Sequence, residues 1–184
     1  MGIFRDAEKS IPTPSLTLQY NGLFDFDGFY AAVIDWAKHY GYMWHERDYK
    51  HKVPSPSGAE QEWKWDMTKN VDPYVKYTIA ISIHAWDMLE VEVNVDGKKK
   101  ILNNARISIK MVGIVGLDWQ GRFAKGGKWG KLLNSIYQTA RSHDISGIYW
   151  DTLVYRINDL HHIIKGYFDM QTKKYAFKGY LGEN

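Results

Sequence analysis

Cysteine is absent from the 184 residues, and disulfides, thiolate catalysis and cysteine-based zinc sites are absent with it. Proline is scarce, at five residues, and no low-complexity run occurs, which excludes collagen-like and Pro-rich scaffolds. The longest uncharged apolar run, Met111 to Leu117, falls far short of the roughly 20 residues of a membrane-spanning helix, so no membrane insertion is expected. The opening MGIFRDAEKS mixes charges of both signs without an apolar segment behind them; no secretory signal is expected, and a cytoplasmic location follows by default. What is present, 45% hydrophobic and 24% charged residues, is the balance of one globular domain. That domain is expected over 1–184, with its core at about 15–170 and a tail at 171–184 that lacks core periodicity.

The net charge of +3 conceals a division: residues 1–95 hold 9 Lys/Arg against 14 Asp/Glu, and residues 96–184 hold 15 against 7. Between Lys98 and Arg141 there are ten cations and one acid, Asp118, which marks 98–141 as a candidate basic face for RNA or DNA.

Periodicity separates the elements. Leu16, Leu18 and Tyr20 alternate with polar residues before Asn21-Gly22, as in a short strand closed by a turn. A helix is expected at 25–40, capped by Asp25 or Asp27 and stopped by Gly41, because Phe29, Val33, Trp36 and Tyr40 recur on one face. Pro54 to Gly58 reads as a loop. Beyond it the period becomes two: Trp63, Trp65 and Met67; Val75 to Ile83; Leu89 to Val95; and, after the Asp96-Gly97 turn, Ala105 to Met111. On this pattern Ile79, Ile81, Ile83, Val91, Val93, Ile107 and Ile109 face the core, and Glu90 and Glu92 face water. Helical spacing returns near 129–143, through Leu132, Leu133, Ile136, Tyr137 and Ala140, and at 148–169, where Leu153, Ile157, Leu160, Ile164 and Tyr167 form one stripe. The expected class is α+β: a mostly antiparallel, curved sheet of about six strands, packed by an N-terminal helix and a long C-terminal helix.

This order of strand, helix, meander and long last helix resembles the helix-grip arrangement of START-like and Bet v 1-like proteins. That resemblance implies a sheet wrapped around the last helix with an apolar cavity between them. Phe24 to Gly28 and Tyr49 to Lys52 are also similar to stretches of archaeal proteins, a likeness that carries no function.

Signatures of catalysis are missing. No His-Glu-x-x-His, Gly-x-Ser-x-Gly or Walker pattern occurs, and the adjacent His161 and His162 point about 100° apart on a helix. No catalytic residue, metal or cofactor is expected. The aromatic content, 15% of residues, is large for one core, and Trp63, Trp65, Tyr77, Trp86, Trp119 and Trp150 are candidate ligand-binding residues. Gly121 to Lys131 combines glycines with cations ahead of a helix, making Arg122, Lys125, Lys128 and Lys131 candidate anion ligands. The expected function is therefore non-enzymatic binding of an apolar small molecule or protein partner between sheet and last helix. A nucleic-acid or ribosome-associated protein and a self-assembling homo-oligomeric subunit are the alternatives.

Overall fold

The computed structural model describes residues 10–55, 58–95, 98–123, 127–168 and 170. Six antiparallel strands form one sheet. Its middle is a run of successive hairpins: β3 (Met43–Ser55), β4 (Gly58–Asn70), β5 (Val75–Val95) and β6 (Lys98–Leu117). The far edge of β6 is shared by β1 (Ser10–Pro12), opposite Ile114 to Gly116, and β2 (Leu16–Phe24), opposite Asn103 to Met111. Local chemistry fixes the tight turn between β4 and β5, where Asp72 Oδ1 accepts the backbone N–H groups of Tyr74 and Val75 at 2.6 Å each.

One helix carries the chain from the β2 edge to the β3 edge. α1 (Phe26–His39) starts at Asp25, whose Oδ1 accepts the Gly28 N–H at 2.9 Å. It ends in a Schellman motif: the Tyr42 N–H reaches the Ala37 carbonyl, the Gly41 N–H reaches Lys38, and Gly41 adopts φ +72°. After the sheet come α2 (Gly127–Ala140), α3 (Ser142–Asp144), a π-helical stretch (Ile145–Trp150) and α4 (Asp151–Tyr167). The last three run on as one long helix over 142–167; the sequence predicts a long last helix but starts it at 148, after Ser146-Gly147, which the structure includes within the helix.

The core lies between one sheet face and α1 with α4. Ile79, Ile81, Ile83, Ile107, Ile109 and Met111 are buried beneath Leu153, Ile157, Leu160 and Ile164. Trp36 Nε1 on α1 donates to Asp159 Oδ2 on α4 at 2.8 Å, joining the two helices above the sheet. Tyr167 departs from the expected stripe, being 38% exposed; Phe168 is buried in its place, against Tyr20, Phe24 and Phe29.

The register changes within β5. Trp86 opposes Arg106 and Leu89 opposes Asn104, so β5 spends three residues where β6 spends two, and Asp87 takes φ +56° in the bulge. An extra residue exchanges the faces. Val91 and Val93, expected in the core, are only half-buried and stand on the outer side with Leu89. The segments the sequence reads as two strands, 75–84 and 89–95, are thus one bulged strand. Beyond Met88, the last β5 residue opposite β4, and before Asn103, the first β6 residue opposite β2, the two strands pair only with each other among the described residues. The Asp96-Gly97 turn and the tail at 171–184 lie outside the described residues.

Candidate binding surface

The candidate aromatic residues do not converge on one site. Trp63, Trp65 and Tyr77 are all buried beneath the helices, but Tyr77 lies opposite Lys69, further along the sheet from the two tryptophans, which pack on the rings of α1. Trp63 lies 4.7 Å from the Phe26 ring and Trp65 5.8 Å from Phe29, centre to centre. Their polar tips have partners: Trp65 Nε1 donates to Glu46 at 3.1 Å, and the Tyr77 hydroxyl donates to the Tyr149 carbonyl at 2.8 Å. Burial raises the Tyr77 phenol above its ordinary pKa, which keeps it neutral. Trp119 instead donates to the Asp72 carbonyl and Trp150 to the Pro12 carbonyl, so both fasten loops to the fold. A cavity alongside α4, lined by Thr13, Leu16, Val154 and Ile157, measures about 120 Å³. Small-molecule sites begin at roughly 300 Å³.

Trp86 points the other way, to the outer face of the sheet. There a 380 Å³ groove is lined by Gln19, Asn21, Trp86, Arg106 and Ser108. His84 stacks on Trp86 with ring centres 3.8 Å apart, and Arg106 is held by Asp87 at 2.7 Å. On the next strand Glu60 accepts from Lys52 at 2.6 Å and lies 2.8 Å from His84 Nε2. Those two contacts, Lys52 first, hold the Glu60 carboxyl below the usual carboxylate range. Glu60, Glu62 and His84 bring one ligand atom each within 4.8 Å of one another, a metal-compatible grouping. Lys52 and Lys50 already compensate both carboxylates, so a dication there would have to displace ammonium groups. The sequence hides this cluster because only the pairing of Glu62 with His84 brings it together.

The basic stretch is divided by the fold. Lys98 to Lys100 begin β6, whereas Arg122 follows its end, a separation of about 60 Å along a strand rising roughly 3.3 Å per residue. Lys99 pairs with Glu92 and Lys100 with Asp25, so two of these cations are engaged within the protein. Arg122 is exposed at the rim of a 320 Å³ pocket formed with Tyr74, Phe123, Tyr137 and Arg141. Arg141 donates to the hydroxyls of Tyr137 at 2.9 Å and Tyr149 at 3.0 Å, and Tyr149 donates to Asp72 at 2.8 Å. The hydrogen bond to Tyr137 leads the contacts that raise the Arg141 pKa, leaving its charge fixed. Lys128 and Lys131 occupy positions in the first turns of α2, and Lys125 lies outside the described residues.

α2 itself is oriented against its pattern. The apolar spacing places Leu132, Leu133 and Ile136 towards a core, yet they are 51%, 53% and 58% exposed, and Trp129 is 76% exposed. At 100° per residue these four occupy one arc of about 100°. The other side of the helix carries Gly130, Asn134 and Tyr137. Gly130 is buried against the Phe123 carbonyl, the Tyr74 hydroxyl donates to Asn134 Oδ1 at 2.7 Å, and Tyr137 packs on Tyr74 and Phe123. The helix is therefore anchored through its small and polar side and presents its apolar side to solvent.

No helix among the described residues is long and apolar enough to cross a membrane. Comparison with protein-family models and with curated proteins finds no match to this chain.

Proposed function

We propose that this is a non-enzymatic binding protein whose principal contact surface is the outward apolar face of α2. One observation carries the reading: Trp129, Leu132, Leu133 and Ile136 form a contiguous stripe at i, i+3, i+4 and i+7 that the described fold leaves uncovered. A soluble helix ordinarily buries such a stripe, and exposed apolar patches of this kind mark interaction sites. The sheet and the α1–α4 layer serve as the rigid support, because their core is closed without any contribution from these four side chains.

The test is stability against association. Replacing Leu132, Leu133 and Ile136 by Ser is expected to leave the melting temperature within about 2 °C of the parent, since no core contact is lost. Loss of association with whatever the protein binds is expected in the same variant. A drop of ten degrees or more would show that the stripe is part of the core and remove the reading.

The groove at Trp86 favours a second reading, small-ligand binding on the outer sheet face. Its 380 Å³ lies within the range of ligand sites, and it combines an aromatic wall with the amides of Gln19 and Asn21 and the guanidinium of Arg106. Trp86→Ala is expected to abolish any ligand retained by the native protein while leaving α2-dependent association intact.

A further inference from the structure

The exposed stripe of α2 does not stand alone in the sequence. From Trp119 to His143 there are five Lys/Arg residues, at 122, 125, 128, 131 and 141, and no Asp or Glu. A helix with Trp, Leu, Leu and Ile on one arc, cations along its first turns and no acid is the pattern of an interfacial amphipathic helix. Resting on the reading of α2 as the contact surface, we propose that its occupant is an anionic lipid bilayer. Trp129 lies at the headgroup boundary, Leu132, Leu133 and Ile136 enter the upper acyl region, and the cations supply the attraction to lipid phosphate.

Three observations favour this occupant over the others. A second copy brought face to face would set the basic segment against the same basic segment, with no acid between Trp119 and His143 to relieve the repulsion. Nucleic acid would meet the cations but leave three aliphatic side chains exposed, and those chains stack on no base. A bilayer satisfies both halves of the surface: apolar area is buried, and each cation near an anionic surface adds to the binding. The attachment of α2 also fits. Tyr137, Asn134 and Gly130 hold the helix by its inner side to the turn after β6 and to Tyr74, so the apolar arc is presented without unfolding anything.

Flotation with vesicles tests the proposal. The full chain is expected to float with vesicles containing phosphatidylglycerol at least tenfold more strongly than with pure phosphatidylcholine, and binding should fall as salt rises. Leu132→Ser/Ile136→Ser and, separately, Lys128→Glu/Lys131→Glu should each reduce binding tenfold or more, with circular dichroism unchanged. Equal flotation on neutral vesicles, no flotation, or binding indifferent to both variants would overturn the bilayer. Light scattering then separates the two readings. If vesicles do not bind but Leu132→Ser/Ile136→Ser turns an oligomer into a monomer, the bilayer falls and α2 stands as a contact surface between copies. If neither changes, both fall. RNA retention that is lost in the Lys→Glu variant and kept in the Ser variant would likewise replace the bilayer with nucleic acid.

Discussion

Gly113 on β6 and Ile157 on α4 share one point of the core: a Cβ on residue 113 would run into the Ile157 Cδ1 and would meet Leu153 Cδ2 at 3.0 Å. The absent side chain is what lets α4 lie directly on the sheet. Gly113→Ala is therefore expected to lower the free energy of unfolding by about 1–3 kcal/mol through overpacking. Ile157→Val, which removes the obstructing methyl, costs about 0.5–1.5 kcal/mol alone and should be much less harmful in the Gly113→Ala background. Urea denaturation of the four proteins reads this coupling, and strictly additive effects would place the two residues apart.

The outward turn of β5 after its bulge gives a contrast on one strand. Ile81→Asp buries an unpaired carboxylate and is expected to remove several kcal/mol. Val91→Lys and Val93→Lys, beyond the bulge, should change stability by less than about 1 kcal/mol. Comparable losses at all three positions would mean that the unbulged register is the right one.

Acid should release the cap of α1. The hydrogen bond from Lys100, then that from the Gly28 N–H, holds the Asp25 carboxyl below its ordinary pKa. A carboxylate depressed in the folded state stabilises the protein above the unfolded value of about 3.9, and that contribution disappears as pH falls through the folded value. Asp25→Asn keeps the cap but not the charge. The stability difference between parent and Asp25→Asn, measured by urea denaturation, is expected to be present at pH 6 and to shrink progressively as the pH falls below about 3.9; a constant difference would exclude the ion pair.

Gly130 fixes α2 to the turn before it. A Cβ there would run into the Phe123 carbonyl oxygen, so Gly130→Ala should push the helix away from Phe123. Amide exchange is expected to accelerate in α2 and remain unchanged in β4 to β6. Unaltered exchange in α2 would show that the helix is held otherwise.

Much of this architecture was legible because it rests on local chemistry. Asp25 and Gly41 bracket α1 by capping, and the isoleucines of β5 and β6 repeat every second residue, as their backbone requires. Failures of the reading occur where a non-local choice decides. The bulge at Asp87 exchanges the faces of everything after it, and no residue before Val91 announces that in the pattern. Periodicity located α2 but not the side it presents, since a 3.6-residue repeat is equally apolar whether it meets a core or something outside the chain. Six candidate aromatics were dispersed for a similar reason: composition counts side chains, whereas strand parity sends Trp65 inward and Trp86 outward.

The sheet also prescribes an order of assembly. From β3 to β6 each strand meets its successor, so those contacts close short loops, whereas Leu16 must find Met111, 95 positions further along the chain. Closure entropy and contact order make the local hairpins fast and the N-terminal strand late. Since β2 covers the flank of β6 beside the helices, its arrival seals the molecule. Pulse-labelled amides of β4, β5 and β6 should thus gain protection before those of β2, and substitutions in β2 should quicken unfolding more than they slow folding.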